Sequence, residues 1–158
     1  MSSATQIGKV AVQTTRFGLI EVDEELIIEL PRGMIGFEDC RRFVVVNQDP
    51  SNVLRWFQSL DDGSVAFPIM DPYAYDPRYS PTISPSDAEE IGLDEDTPRL
   101  VFAVVTIPRD DPAGLTVNLL GPILINARTR VGKQVVVSDE CYKTKHRILT
   151  SPLAAVKR

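Results

Sequence analysis

The feature that most constrains this fold is a series of short segments in which β-branched or aromatic residues alternate with polar ones. In residues 10–14, for example, Val10, Val12 and Thr14 fall on one face of an extended chain. Pro, Gly, Asn or Asp separates the segments, and these residue types favour turns. The pattern predicts strands at residues 10–14, 19–22, 25–30, 43–46, 54–60, 64–70, 100–107, 115–120, 123–125 and 133–138.

Turn and helix signals refine this pattern. The strongest hairpin signal is Asp61-Asp62-Gly63, because Asp-Gly suits the positive-φ positions of a tight turn. One short helix is predicted over 84–92, where Ser86 and Glu89 could form a capping box, and a second helical turn over 38–42. Many short strands with one or two short helices predict a mainly β single domain, either an antiparallel barrel or a sandwich.

The segment 71–85 is unusual because four prolines space out three tyrosines. Proline lacks a backbone donor, so the segment cannot be a central strand. It is either a connection pinned by its own aromatic side chains or a surface loop used for recognition. Trp56 is a different case, since strand periodicity places it beside Leu54 and predicts that it lies in the core.

Composition limits the classes of protein and partner. The 158 residues suit one domain, and a net charge of 17 − 22 = −5 argues against non-specific binding to nucleic acid. No apolar run approaches the roughly 20 residues of a membrane-spanning helix, and no secretory leader is evident. Cys40 and Cys141 lie far apart with no C-x-x-C spacing, which predicts reduced thiols and a cytoplasmic protein.

Candidate chemistry is sparse, and we expect neither a cofactor nor a metal ion. His146 is the only histidine, and no nucleophile motif accompanies it, so we predict a histidine at the surface or the end of a hairpin. Turn chemistry explains the acidic pair Asp61 and Asp62, although a small enzyme using them as acid and base is an alternative. An RNA-binding barrel that uses the basic clusters 41–42 and 143–147 is another.

Several blocks of sequence, in order along the chain, carry a resemblance to a known family. They cover 14–18 (TTRFG), 21–25 (EVDEE), 30–38 (LPRGMIGFE), 56–62 (WFQSLDD), 66–72 (AFPIMDP), 104–108 (VVTIP), 116–123 (TVNLLGPI) and 126–134 (NARTRVGKQ). Together these blocks resemble the FliW flagellar assembly factors over about residues 7–142. We therefore expect one FliW-like β domain over 1–142, with a small antiparallel β-barrel-like fold, and a flexible tail over 143–158.

The resemblance implies a non-enzymatic cytoplasmic protein that changes partners. Proteins similar to this bind newly made flagellin and, when free of flagellin, bind CsrA, a small basic RNA-binding regulator of translation. Capture of CsrA away from its RNA site would then couple flagellin synthesis to flagellin export. We further expect no direct contact with nucleic acid or a membrane, and a monomer when free.

The candidate partner-binding residues combine an exposed-loop context with aromatic, acidic or amide side chains. Asn118 belongs among them because it interrupts an apolar strand, where it either satisfies backbone groups at a bulge or contacts a partner strand. The full predicted set is Phe37, Glu38, Asp39, Asp62, Tyr73, Tyr75 and Asn118.

Overall fold

The computed structural model describes residues 8–47, 49, 51, 53–111 and 114–148, and within these ranges the chain forms eleven short strands and two short α-helices. The strands are β1 (Lys9–Thr14), β2 (Gly18–Asp23), β3 (Ile28–Glu29), β4 (Arg42–Val46), β5 (Arg55–Ser59), β6 (Ala66–Met70), β7 (Arg99–Thr106), β8 (Thr116–Val117), β9 (Ile123–Asn126), β10 (Val131–Gln134) and β11 (His146–Arg147). The helices are α1 (Pro72–Tyr75) and α2 (Pro85–Glu90), and a 3-10 turn covers Glu24–Leu26. The mainly β class and the short helices are confirmed.

Most strands join one sheet that curls into a barrel-like circuit. Strands β3 to β7 pair in sequence order, β7 pairs with β9, β9 pairs with β10, and β10 returns to β3. Strands β8 and β11 extend the sheet beyond the second half of β7, while β1 and β2 form a separate hairpin. The predicted turn at Gly63 does connect the antiparallel strands β5 and β6.

The circuit has a weak seam where β10 meets β3. This pairing is parallel and consists of the single pair Val131 and Glu29, whereas the other strand pairs are antiparallel. The sheet is therefore antiparallel except at this one position, which makes it a mixed sheet.

The core follows from the alternation of side chains along these strands. One buried cluster takes residues from nearly every strand of the circuit, which places it in the barrel interior; it includes Ile28, Phe43, Phe57, Ile69, Phe102, Ile123 and Ile125. Phe43 and Phe57 stack there with ring centres 4.4 Å apart. Two further clusters lie outside the circuit, where the segments around α1 and α2 cover the sheet.

Three local predictions are wrong. Trp56 is only half-buried, because Phe57 takes the interior position on β5 and the Arg16 guanidinium lies 3.7 Å from the centre of the Trp56 ring. Ser84, rather than Ser86, caps α2 by accepting from the Asp87 N–H at 3.1 Å. The second helix is not at 38–42.

The second helix is α1, and its sequence explains the position. Asp71 accepts a hydrogen bond from the Tyr73 N–H, and Pro72 occupies the first helical turn, where a missing N–H costs nothing. Of the two alternatives for the segment 71–85, the structure favours a connection held in place by its own aromatic side chains, since Tyr79 within it is 3% exposed.

The end of the described chain stays attached to the sheet. Strand β11 pairs with β8, and Ile148 is buried, while the rest of the expected tail, 149–158, lies outside the described residues. Cys40 is buried and Cys141 exposed, and both are free thiols. Among the described residues, no helix has the length and apolar character needed to cross a membrane.

Candidate protein-interaction surface

The loop between β3 and β4 is held in a tight shape by its glycines. Gly33 and Gly36 have φ values of 69° and 88°, which side chains with a Cβ rarely adopt. A Cβ on Gly33 would also lie 2.6 Å from the Glu38 Cα, so the chain folds back on itself there. The Glu38 carboxylate accepts a hydrogen bond from the Gly36 N–H at 3.0 Å, which fixes the tip of the loop.

This fixed loop presents two large apolar side chains to solvent. Ile35 is 57% exposed and Phe37 is 43% exposed. The Phe37 ring packs edge-on against Phe67 of β6 with ring centres 5.1 Å apart, so one of its faces is supported. Residues 38 and 39 beside them are acidic and exposed.

The turn between β5 and β6 is hydrogen-bonded to the same loop. The Asp61 carboxylate accepts from the backbone N–H groups of Arg41 and Arg42, both at 2.8 Å, and from the Arg42 Nε at 3.1 Å. Burial alone would raise the pKa of Asp61, but these hydrogen bonds and the Arg42 charge outweigh it and lower the pKa.

Asp62 next to it shapes the turn itself. Its carboxylate accepts from the Ser64 hydroxyl at 2.7 Å and the Ser64 N–H at 3.0 Å, and these bonds lower the pKa of Asp62. Asp62 remains exposed and negatively charged at neutral pH. The Asp61 bonds to Arg41 and Arg42 thus place the turn that carries Asp62 beside the end of the loop that carries Phe37, Glu38 and Asp39. We call these four predicted residues, together with Ile35, the loop patch: Ile35, Phe37, Glu38, Asp39 and Asp62.

The other predicted aromatics belong to a packed group that we call the tyrosine cluster, made of Tyr73, Tyr75, Tyr79, Tyr142 and His146. Tyr79 lies at its centre, with ring centres 4.7 Å from Tyr142 and 5.7 Å from Tyr73, and its hydroxyl donates to the Leu119 carbonyl at 2.7 Å. Burial raises the pKa of Tyr79.

Two predicted residues make structural contacts in this region. Tyr75 is half-buried and donates from its hydroxyl to the Arg147 carbonyl at 3.2 Å. The Asn118 side-chain oxygen accepts from the Leu120 and Gly121 N–H groups at 3.0 and 2.8 Å, so it satisfies backbone groups of a turn. Tyr73, in contrast, is 41% exposed.

The seven predicted residues therefore do not form one site. The β5–β6 turn with Asp62 lies at one end of β6, and Tyr73 follows the other end of that strand. Sequence reasoning also missed Ile35, although its position between two turn-forming glycines, Gly33 and Gly36, was a readable signal for an exposed apolar side chain.

The groups considered for catalysis are engaged in local structure. Asp61 and Asp62 both have lowered pKa values and both bind backbone N–H groups, which suits turns better than proton transfer. His146 accepts a hydrogen bond on its Nε2 from the Lys143 N–H at 2.7 Å, at the start of β11. In the described part of the chain, no three His, Cys, Asp or Glu side chains are grouped to hold a metal ion.

Comparison with known proteins identifies the family. The FliW protein family model matches residues 11–148. The flagellar assembly factor FliW of Syntrophus aciditrophicus is 39% identical over 138 residues, covering 87% of each chain. FliW of Leptospira interrogans serovar Lai is 34% identical over 142 residues, which cover 90% of this chain and 95% of that protein.

A solved structure extends the match to three dimensions. A crystal structure of the flagellar assembly factor FliW superimposes with a TM-score of 0.81 and 27% sequence identity, covering 89% of this chain and 98% of the other. The resemblance seen in the sequence blocks is thereby confirmed over nearly the whole length that those blocks span. This chain belongs to the FliW family of flagellar assembly factors.

Proposed function

We propose that this chain is a cytoplasmic binding protein that holds newly made flagellin and, when free of flagellin, binds CsrA and weakens its hold on RNA. It acts by binding alone, without catalysis, and is a monomer between partners. Membership in the FliW family supports the flagellar assembly role, and the partner names follow from the family resemblance.

The observation that carries this proposal is the loop patch. Ile35 and Phe37 expose large apolar surfaces on a loop whose backbone is fixed by glycines and by Asp61. A preorganised apolar anchor loses little conformational entropy on binding. The acidic residues 38, 39 and 62 around it would attract a basic partner and speed the encounter.

The switching behaviour has a thermodynamic requirement. One partner can displace or favour the other only through a difference in its affinity for the two states of this chain. If both partners use the loop patch, their binding is mutually exclusive; if they use separate surfaces, a ternary complex forms with an altered affinity.

The test is a competition experiment. A preformed complex of this chain with purified CsrA is titrated with purified flagellin, and free CsrA is measured by its binding to labelled RNA. We expect flagellin to release CsrA. No binding of this chain to either protein at micromolar concentration contradicts the proposal.

A matched pair of variants locates the surface. Ile35→Ser removes an apolar side chain from the loop patch, and Leu26→Ser removes one that is 47% exposed at the opposite end of β3. Only the first should weaken binding, by roughly tenfold or more if Ile35 is an anchor. Equal effects of the two variants would contradict a role for the loop patch.

A further inference from the structure

Among the described residues, one strand edge in the barrel-like circuit has no paired strand, although α1 lies beside it. β6 pairs with β7 only at Ile69–Val104 and Met70–Ala103, and then Asp71 and Pro72 turn the chain into α1. Strand β7 begins at Arg99 and pairs on its other side with β9 over residues 99–102. Within the described part of the chain, β7 therefore has no strand partner over residues 99–102 on the side where Ala103 pairs with β6.

The alternation of an antiparallel ladder shows which backbone groups face this opening. The Pro98 and Val104 carbonyls accept bonds from Ala127 and Asn118, on the side of β9 and β8. The N–H and C=O groups of the even-numbered residues of β7 therefore point toward β9 and β8. Those of the odd-numbered residues point toward β6, as the Ala103–Met70 pair requires. The N–H and C=O groups of Arg99 and Val101 point into the opening.

The space beside this edge is a pocket of about 330 Å³ with basic side chains in its wall. It is lined by Arg55, Asp71, Tyr73, Arg99, Leu100, Val101 and Phe102. Arg55 is exposed and makes no side-chain hydrogen bond or ion pair with any residue the structure describes. Arg99 donates to the Thr97 and Asp94 carbonyls, which hold its side chain in place without neutralising it.

The charge of the pocket is opposite to that of the whole chain. Two arginines and one aspartate give a local charge of 2 − 1 = +1, against −5 overall. Asp71 is already engaged as the cap of α1 through the Tyr73 N–H. A carboxylate entering the pocket would therefore meet Arg55 with its guanidinium free to form two parallel hydrogen bonds.

We propose that the open edge of β7 at residues 99–102 is a strand-addition site for an extended segment of a partner protein that carries a carboxylate. The segment takes the place that β6 vacates after Met70, and its backbone pairs with Arg99 and Val101. Its carboxylate, from an acidic side chain or a chain terminus, pairs with Arg55, while the half-exposed Tyr73 ring covers its apolar side chains.

A second copy of this chain is a poorer occupant than such a segment. Pairing β7 with β7 of another copy would bring the Arg55 and Arg99 side chains of both copies into one place, and like charges disfavour that contact. The proposal does not depend on which proteins the loop patch binds, because the pocket lies at the opposite end of β6.

Hydrogen exchange of the free protein tests the edge itself. The amide protons of Leu100 and Phe102 bond to β9 and should exchange slowly, whereas those of Arg99 and Val101 should exchange at least tenfold faster. Equal protection of all four amides in the full chain would mean that this edge is already covered, by another segment or another copy, and would overturn the proposal.

Peptides of defined charge test the occupant. The probe is an acetylated and amidated five-residue peptide of alternating threonine and valine with one central glutamate, and matched peptides carry glutamine or lysine there. We expect the glutamate peptide to protect the Val101 amide and to bind roughly tenfold tighter than the glutamine peptide. A glutamine peptide with a free C-terminal carboxylate tests whether a chain terminus can supply the carboxylate. Tighter binding than that of the amidated glutamine peptide would show that it can.

Variants of the chain complete the test. Arg55→Gln should remove the preference for glutamate over glutamine, while Arg109→Gln, an exposed arginine beyond β7, should leave it unchanged. Binding that ignores peptide charge, or the absence of protection at Val101 with millimolar peptide, would overturn the proposal. Neither result would affect the flagellin and CsrA competition, so the two proposals fail separately.

Discussion

The loop patch and the tyrosine cluster both contain aromatic residues but use them in opposite ways. In the loop patch the backbone is fixed while the side chains of Ile35 and Phe37 remain largely exposed. In the tyrosine cluster the central side chain is packed and hydrogen-bonded, since Tyr79 is 3% exposed and its hydroxyl donates to the Leu119 carbonyl. An aromatic residue in a Pro-rich segment is therefore not evidence of a binding surface until its hydroxyl and its ring faces are accounted for.

The largest expected effect concerns the tyrosine cluster. Tyr79→Ala should lower the free energy of unfolding by about 3–5 kcal/mol, because it removes a buried ring that two other tyrosines contact. Tyr79→Phe should cost about 1–2 kcal/mol through the lost bond to Leu119. Urea unfolding measures both values. Tyr73→Ala is the control, and a loss as large as that of Tyr79→Ala would remove the distinction between packed and exposed members.

The next effect tests whether the loop patch has a fixed backbone. Gly33→Ala should destabilise by about 2–3 kcal/mol, because the residue has φ 69° and a Cβ would lie 2.6 Å from the Glu38 backbone. Gly36→Ala shares the positive φ but meets nothing within 4 Å, so it should cost about 1 kcal/mol. Thermal unfolding compares the two variants, and equal losses would show that the loop relaxes around the added methyl group.

A smaller effect tests the link between the loop and the β5–β6 turn. The pKa of Asp61 is lowered in the folded protein, so its stabilisation is complete above the unfolded value near 3.9 and is lost as the pH falls through the folded pKa. This group should cost the chain less than about 1 kcal/mol of stability between pH 6 and pH 3, because solvent screens a carboxylate so near the surface. Asp61→Asn should reduce that loss, measured by urea unfolding at both pH values. The control variant Asp39→Asn, at an exposed position, should leave the loss unchanged.

The smallest effect on stability separates binding from folding. Ile35→Ser should change the free energy of unfolding by less than about 0.5 kcal/mol, because the side chain is 57% exposed. The same variant should weaken partner binding, as proposed above. A large loss of stability would mean that Ile35 supports the loop, and the contrast between the two regions would then disappear.

Much of the fold could be predicted because strand signals are local. The alternation in residues 10–14 and the Asp-Gly turn at Gly63 each specify structure within a few residues, and both predictions are confirmed. The prediction that Trp56 lies in the core was wrong for an equally local reason. Trp56 is next to Phe57, and two large apolar residues in succession do not show which of them faces inward. The contact with Arg16 that settles it comes from a distant hairpin.

The candidate site was less predictable because its geometry is long-range. Nothing near Asp61 in sequence indicates that it binds the backbone of Arg41 and Arg42, yet that contact joins the two halves of the loop patch. Asp71-Pro72, by comparison, is a readable helix start, and it also explains why β6 ends and leaves the edge of β7 open.

The single parallel pair between β10 and β3 has a consequence for synthesis of the protein. Glu29 and Val131 are 131 − 29 = 102 positions apart, and contacts across such a separation form late because the loop between them must first be closed. Before Val131 has emerged from the ribosome, the sheet of the nascent chain is not closed, and β3 lies at its edge. Completion of the barrel-like circuit is thus tied to the emergence of the last quarter of the polypeptide.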